Sequence, residues 1–259
     1  MKPLTSLSII LFCISGLFYP DPASQGERRT SETVLRADGL KFKKQYILRE
    51  FDGRHRPGPW DIHQYPGVFR YSCSRKELIM DGSQGQNQHI TRRGILINPA
   101  RPYAIEVEFM IDEPDDAPVP NSFCINFNIA GNDGELDSIT CWAMNLDIAP
   151  TGKQPAGVMK TMGFVGGRYQ QIKPSHPVNW CRMRTFYTMI LHVNRNSDGL
   201  YMRNKVAVRV YEGDECKDSF ETDYSPFSYQ VDYSNTVRIG LNTHGANWIV
   251  KNMKVCYLD

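Results

Sequence analysis

The last stretch of the chain constrains the fold most, because it holds two long runs of alternating apolar and polar residues. In residues 236–259 the side chains of Val237, Ile239 and Leu241 alternate with polar ones, and a turn rich in Asn and Gly leads into a second alternating run at 248–257. Successive side chains of a strand leave opposite faces of the sheet, so this period of two predicts half-buried strands. We expect the two runs to pair as a closing hairpin, and strands this long need a large sheet.

The same alternation recurs along most of the chain, most cleanly at 103–111 and at 123–129. In the second of these runs Phe123, Ile125, Phe127 and Ile129 share one face, and Cys124, Asn126 and Asn128 share the other. Helical periodicity is absent beyond the N-terminal segment. About a dozen strands in roughly 220 residues predict an all-β fold, either a two-sheet antiparallel sandwich or a closed barrel.

Composition and charge set outer limits on the fold and on the partners. A chain of 259 residues suits one large β-sandwich or two small domains, and with 41% apolar and 22% charged residues it has enough apolar side chains for a real core. The formal net charge of +2 gives no electrostatic reason to expect nucleic acid as a partner.

The N-terminal segment predicts the compartment. One positive charge at Lys2, a short apolar run and then small and polar residues are typical of a secretory signal peptide, which we place at residues 1–25. The run is too short to span a bilayer, so we expect a secreted or periplasmic protein. The alternative is an amphipathic or buried N-terminal helix. Residues 26–44 then form a polar tether, and 45–259 form one domain.

The cysteine count favours disulfides. Removal of the signal peptide leaves six cysteines, and an even number in an exported chain is typical of a disulfide framework. Cys124 and Cys141 lie in successive β-runs, so their pairing is the preferred prediction. No Cys-x-x-Cys pair occurs, which argues against a zinc site.

Several motifs, taken in order, resemble the concanavalin A-like superfamily. The stretches PYAIEVEF, RTFYTMILHVN, KVAVRVYEG and the closing pair of runs are similar to laminin-G-like domains, and FDG…W…ELIMDG is similar to the opening of bacterial keto-disaccharide hydrolase-like domains. Together they cover most of residues 51–259. The resemblance implies a two-sheet antiparallel jelly roll that binds or cleaves glycans on its concave sheet or rim loops.

Two glutamates are candidates for hydrolytic chemistry. Glu106 and Glu108 leave the same face of a strand about 6.5–7 Å apart, a separation at which two carboxylates act as acid and base on a glycosidic bond. The alternative is a solvated outer face. A second motif, Glu135-x-Asp137, resembles the catalytic strand of laminarinase-type glucanases, but Thr140 stands where that family needs its acid/base glutamate. We therefore reject that mechanism here.

The loop that carries this second motif is also a candidate metal site. Asp133, Glu135 and Asp137 offer hard oxygen ligands around a glycine turn, which suits structural calcium, with an ordinary polar turn as the alternative. We expect no other cofactor.

A second candidate chemistry is β-elimination. A Tyr or His base and an Arg that neutralises a uronate carboxylate are what this reaction needs, and His89, Tyr169, His192 and Arg168 supply these groups. The four residues are spread over more than a hundred positions. For each of them a structural role is the alternative.

Sugar binding is a third candidate activity. Aromatic faces stack on pyranose rings, and amide or imidazole groups bond to hydroxyls. The residues with these properties are Asn126, Asn128, Trp142, His244 and Trp248. The two tryptophans are equally suited to the core.

Together these patterns predict an exported, disulfide-stabilised, monomeric jelly roll that engages a glycan. We favour cleavage, by a glycoside hydrolase or a polysaccharide lyase. The alternatives are a non-catalytic lectin-like module and an adhesion domain that binds protein. Nucleophile-elbow, phosphate-loop and zinc-protease motifs are all absent from the sequence.

Overall fold

A computed structural model describes residues 45–47, 60–63, 69–72, 74–75, 77–82, 88–92, 96–113, 121–130, 139–148, 157–196 and 198–258. Within these ranges every regular element is a β-strand. The strands are β1 (Gln45–Ile47), β2 (Trp60–His63), β3 (Phe69–Ser72), β4 (Glu77–Asp81), β5 (Gln88–Arg92), β6 (Tyr103–Glu113), β7 (Asn121–Ile129), β8 (Cys141–Ile148), β9 (Gly157–Val165), β10 (Arg168–Gln171), β11 (His176–Val178), β12 (Tyr187–Arg195), β13 (Tyr201–Glu212), β14 (Glu215–Asp223), β15 (Arg238–His244) and β16 (Asn247–Tyr257).

The strands form two antiparallel sheets. The first sheet has the order β14-β13-β12-β6-β16-β4-β3, with β1 also paired to β16. The second has the order β10-β9-β8-β7-β15-β5-β2, with β11 also paired to β9. The predicted all-β, two-sheet antiparallel architecture is confirmed.

The main core lies between the sheets and is built by the alternating side chains. Phe123, Ile125 and Phe127 of β7 meet Ile105, Val107 and Phe109 of β6 in one buried cluster. Burial of these apolar side chains is the main stabilising term, at about 25 cal/mol per Å² removed from water. The strand β9 packs so tightly that a Cβ on Gly163 would lie 2.3 Å from the Phe227 ring, so only glycine fits there.

The closing pair of runs is not a hairpin, which corrects the sequence-based prediction. The strand β15 pairs with β5 and β7 in the second sheet, whereas β16 pairs with β6, β4 and β1 in the first. The short turn between them, with Gly245 at a φ of 83°, carries the chain from one sheet to the other. Alternation identified both strands correctly, but it does not encode which neighbour a strand pairs with.

The expected alternation of β7 also fails at its end. The pairing of β7 with β15 shifts register between Asn126 and Ile129, and Asn128 has a φ of 51°. An extra residue at such a bulge reverses the facing of the residues that follow. Asn128 therefore points inward and bonds to the core residue Tyr103, while Ile129 joins a cluster on the outer face.

The predicted disulfide between Cys124 and Cys141 is wrong. Both thiols are free, as are those of Cys181, Cys216 and Cys256. In the β7–β8 register Cys124 lies opposite Asn145, four positions along β8 from Cys141. That offset is about 13 Å along the strand, whereas bridged Cα atoms lie within about 7 Å.

The predicted signal peptide at 1–25 and tether at 26–44 lie outside the described residues, so export stays a prediction, as does the monomeric state. No helix in the described part of the chain is long and apolar enough to cross a membrane.

Candidate functional site

A cleft of about 340 Å³ lies on the outer face of the second sheet, and we call it the outer cleft. Five strands of that sheet line the cleft with side chains that point away from the core. These residues are Ser122, Cys124, Asn145, Asp147, Lys160, Met162, Phe164, Tyr169, Asn242 and His244.

The strand register brings together residues that lie far apart in sequence. Lys160 pairs with Asn145, Asn145 with Cys124, and Cys124 with Asn242, so these four residues form one row across β9, β8, β7 and β15. The next row along β7 and β15 pairs Ser122 with His244 and with Asp147. The floor of the outer cleft is therefore built on regular ladder pairing rather than on loops.

Asp147 is the centre of the polar side of the outer cleft. Its Oδ1 accepts hydrogen bonds from Ser122 Oγ and from Asn145 Nδ2, each at 2.5 Å. Its Oδ2 forms an ion pair with Lys160 Nζ. Both carboxylate oxygens are thus engaged, and they hold the three donors in fixed positions.

Tyr169 forms the exposed wall of the outer cleft. Its ring lies edge-on to Phe164, with the centroids 6.4 Å apart, and 51% of the residue is exposed. Its hydroxyl donates a hydrogen bond to Gln171 Oε1 at 3.1 Å, and Gln171 Nε2 donates in turn to Lys173 O. Partial burial raises the pKa of Tyr169, although Lys160 lowers it. The phenol is therefore protonated and oriented near neutral pH.

Cys124 lies on the floor of the outer cleft and is almost fully buried. Its Sγ lies 3.2 Å from Asn126 Oδ1, to which it donates a weak hydrogen bond. Burial first, and then Cys141 and Asp147, raise the pKa of Cys124 well above the ordinary value. The thiol is thus protonated and acts as a small apolar surface rather than as a nucleophile.

The structure brings together two of the residues that the sequence singled out, Tyr169 and His244. It adds five polar lining residues that sequence reasoning missed: Ser122, Asn145, Asp147, Lys160 and Asn242. A signal for two of them was present, because Asn145 and Asp147 alternate with the apolar residues of β8. Such alternation also describes any solvated face, so it does not single out a binding site.

Three other candidates lie on the first sheet, away from the outer cleft. Glu106 is buried and its Oε1 accepts a hydrogen bond from Lys254 Nζ at 2.7 Å, and Glu108 lies two positions further along the same strand. His192 is buried on β12 beside Ala104 and Ala207. A ligand in the outer cleft therefore contacts none of these three residues.

Three of the candidate sugar ligands point into the core. Asn128 Oδ1 accepts a hydrogen bond from the Tyr103 hydroxyl at 2.7 Å. Trp142 stacks on Tyr224 with centroids 4.5 Å apart, and Trp248 is fully buried against aromatic neighbours. These side chains stabilise the sandwich rather than line the outer cleft. Asn126 keeps its outward parity, but it is completely buried and does not line the outer cleft.

Arg168 precedes Tyr169 on β10 and does not line the outer cleft, since successive strand residues leave opposite faces. The backbone of His89 pairs with Asn242, which places this position one strand beyond the lining residues. Asp133, Glu135 and Asp137 lie outside the described residues. Within the described part of the chain, no three His, Cys, Asp or Glu side chains form a cluster able to hold a metal ion.

No protein-family model and no curated protein matches the sequence. Several solved structures share its fold. A legume lectin-like domain from Entamoeba histolytica is 6% identical, with a TM-score of 0.50 over 78% of this chain and 91% of that chain. The carbohydrate recognition domain of Emp46p, in a potassium-bound form, is 9% identical, with a TM-score of 0.51 over 82% and 96%.

An alginate lyase of polysaccharide lyase family-7 is 7% identical, with a TM-score of 0.50 over 82% of this chain and 99% of that chain. Likeness at these identities concerns the fold and not the activity. It agrees with the order of the sequence motifs and with the two-sheet topology. The chain therefore has the concanavalin A-like jelly-roll fold.

Proposed function

We propose that the outer cleft binds carbohydrate without hydrolysing it. The observation that carries this proposal is the Asp147 centre, which holds Ser122, Asn145 and Lys160 in fixed positions. Recognition of a sugar needs several polar groups fixed in place beside an aromatic surface, and Tyr169 supplies that surface. Fixed groups also lose little side-chain entropy when a ligand binds.

The fold comparison supports the same proposal by analogy. Among the proteins that share this jelly roll, one is a carbohydrate recognition domain and another is an alginate lyase. Both names refer to carbohydrate ligands. A fold hosts many activities, so the weight of the proposal rests on the side chains of the outer cleft.

The carboxylates argue against hydrolysis. Cleavage by a pair of carboxylates needs two of them flanking the bond. Among the described residues that line the outer cleft, Asp147 is the only carboxylate, and three donors engage its oxygens. Glu106 and Glu108, whose spacing in the sequence suggested this role, belong to the other sheet.

A second candidate function is β-elimination, which the presence of Tyr169 and His244 in one cleft favours. In this reaction His244 would remove the proton at C5 of a uronate. The released electron pair would form the C4–C5 double bond, and the leaving glycosidic oxygen would take a proton from Tyr169. The raised pKa of Tyr169 suits a proton donor. Lys160 is already neutralised by Asp147, so Asn145 and Asn242 would bond the uronate carboxylate.

The test is a panel of neutral and uronate-containing polysaccharides, incubated with the full chain. Retention on affinity gels, release of reducing ends and absorbance near 235 nm are measured in parallel. Retention on a gel, without released reducing ends and without new absorbance near 235 nm, supports binding alone. A rise near 235 nm establishes elimination, and new reducing ends without it establish hydrolysis and overturn the proposal.

Three variants test whether the glycan binds in the outer cleft. Asn145→Ala and Tyr169→Ala are expected to abolish retention, because they remove a polar group and the aromatic wall. Arg168→Ala is the matched control, since Arg168 neighbours Tyr169 but does not line the outer cleft. Equal loss in the control, or full retention in both cleft variants, would place the binding site elsewhere.

A further inference from the structure

The outer cleft is divided between two kinds of surface along the strand direction. On β9, Lys160 is followed two positions later by Met162 and then by Phe164. Their partners on β8 change in the same way, from Asn145 opposite Lys160 to Ala143 opposite Met162. The polar half thus ends and an apolar half begins within a single step of the ladder.

The apolar half consists of Met162 and Phe164, which belong to a packed cluster on the outer face of the sheet. That cluster also contains Cys124, Ile129, Ile139, Cys141 and Ala143, and all of its members are buried. The outer face of an antiparallel sheet is ordinarily polar, because only the inner face packs on the core. The half-exposed Tyr169 ring lies edge-on to Phe164 and extends this apolar surface to the solvent.

We infer that the outer cleft selects a sugar unit that carries a small apolar substituent beside its hydroxyl groups, such as the methyl of an acetamido group. This inference rests on the proposed function and names the class of its ligand. Hydroxyls would bond to Asn145 and Lys160, while the methyl would pack against Met162 and Tyr169.

The spacing of the two halves supports this assignment. Side chains two positions apart on one face of a strand are about 6.6–7 Å apart, which is about the span of one sugar ring with its substituents. A ring that bonds the polar row therefore places a neighbouring substituent over the apolar row. A hydroxyl there would lose its bonds to water without a new partner, whereas a methyl group gains from burial.

The test uses matched sugars that differ at a single carbon. Methyl glycosides of glucose, galactose and mannose are compared with their 2-amino and 2-acetamido forms, by ligand-observed NMR and by calorimetry. In at least one series the acetamido form is expected to bind about four- to tenfold more tightly than the hydroxyl form, and the amino form no more tightly than the hydroxyl form. Binding without preference overturns this inference alone. Absence of binding by every sugar, including the polysaccharide panel, overturns the proposed function as well.

Two variants and one control tie the preference to the apolar half. Met162→Gln keeps the length of the side chain but makes its end polar, and is expected to reduce the acetamido preference at least threefold. Tyr169→Leu tests the same surface at a half-exposed position, where a folding defect is not expected. The control is Val165→Gln. Val165 is an exposed apolar residue of β9, the strand that carries Met162, and it does not line the outer cleft. An unchanged preference in both cleft variants, or an equal loss in the control, overturns the inference.

Discussion

The outer faces of the two sheets each carry a carboxylate paired with a lysine, and the two pairs differ in their surroundings. On the first sheet Lys254 lies directly opposite Glu106, with 14% and 3% of the side chains exposed. On the second sheet Lys160 reaches diagonally past Asn145 to Asp147, with 24% and 8% exposed. The chemistry is the same, but the second pair lines the outer cleft and the first pair does not.

The first-sheet pair lies next to a sealed apolar cluster of Ala104, Ile190, Tyr211, Cys256 and Leu258. Glu106 Oε2 has no hydrogen-bond partner among the described residues, whereas both oxygens of Asp147 are engaged. Burial, together with the Glu106 carboxylate, raises the pKa of Cys256, although Lys254 lowers it. One pair is thus packed beside an apolar cluster, and the other holds fixed polar groups at the surface of the outer cleft. The two pairs contain the same kinds of side chain, and they differ in whether they line the outer cleft.

The largest expected effect is on stability, from Lys254→Met. Removal of the lysine leaves Glu106 buried without its counter-charge, which is expected to lower the free energy of unfolding by about 3–5 kcal/mol. Urea unfolding followed by tryptophan fluorescence measures the change. The control is the double variant Glu106→Gln with Lys254→Met, which removes the stranded charge and is expected to recover most of the loss. If Lys254→Met lowers the free energy of unfolding by less than about 1 kcal/mol, water reaches Glu106. The two ion pairs would then not differ in their access to water.

Asp147→Ala is expected to cost less stability but to affect binding. Three donors lose their acceptor, which costs about 1–3 kcal/mol, less than in the sealed pair because water enters the outer cleft. Glycan retention is expected to fall at least tenfold, since Asn145 and Lys160 are no longer held. Unfolding and affinity chromatography measure the two effects. Asp147→Asn keeps one acceptor oxygen, so recovery of binding in that variant separates hydrogen bonding from charge. Normal retention by Asp147→Ala would contradict the assigned role.

The loss of stability at alkaline pH is expected to depend more on Tyr229, which lies near the core, than on Tyr169 of the outer cleft. Burial raises the pKa of Tyr229 to about 12, and an unfolded tyrosine ionises near 10. Between pH 10 and 12 the unfolded chain therefore releases a proton that the folded chain keeps, so stability falls as pH rises through this window. Tyr229→Phe is expected to reduce that fall by up to about 1 kcal/mol, after allowance for solvent screening. Urea unfolding at pH 9 and 11 measures it, and Tyr169→Phe should give a smaller change. A larger change from Tyr169→Phe would contradict the comparison.

The smallest effect is expected from Glu108→Gln. Glu108 is only partly buried on the first sheet and does not line the outer cleft, so the free energy of unfolding should change by less than about 0.5 kcal/mol. Glycan retention should equal that of the unaltered chain. Loss of retention in this variant would move the binding surface to the first sheet.

The fold could be predicted further than the site. Alternation placed Phe123, Ile125 and Phe127 in the core because a strand's period of two is a local property of the backbone. The same pattern failed at Asn128, where pairing with β15 inserts a bulge that turns the side chain inward. Alternation also could not tell whether Trp142 faces the core or a ligand, since a large aromatic ring suits both.

The sequence by itself determined that the chain is all-β, which residues share a face in most strands, and which motif order resembles the concanavalin A-like jelly roll. Only the tertiary structure decided that β15 and β16 belong to different sheets, that Cys124 and Cys141 lie too far apart to bond, and that Tyr169 and His244 share a cleft. The physical reason is that facing depends on neighbours along the chain, whereas proximity across a sheet depends on strand order and register. Strand order and register are set by pairings between residues as distant in sequence as Ser122 and His244. No local sequence pattern encodes such pairings.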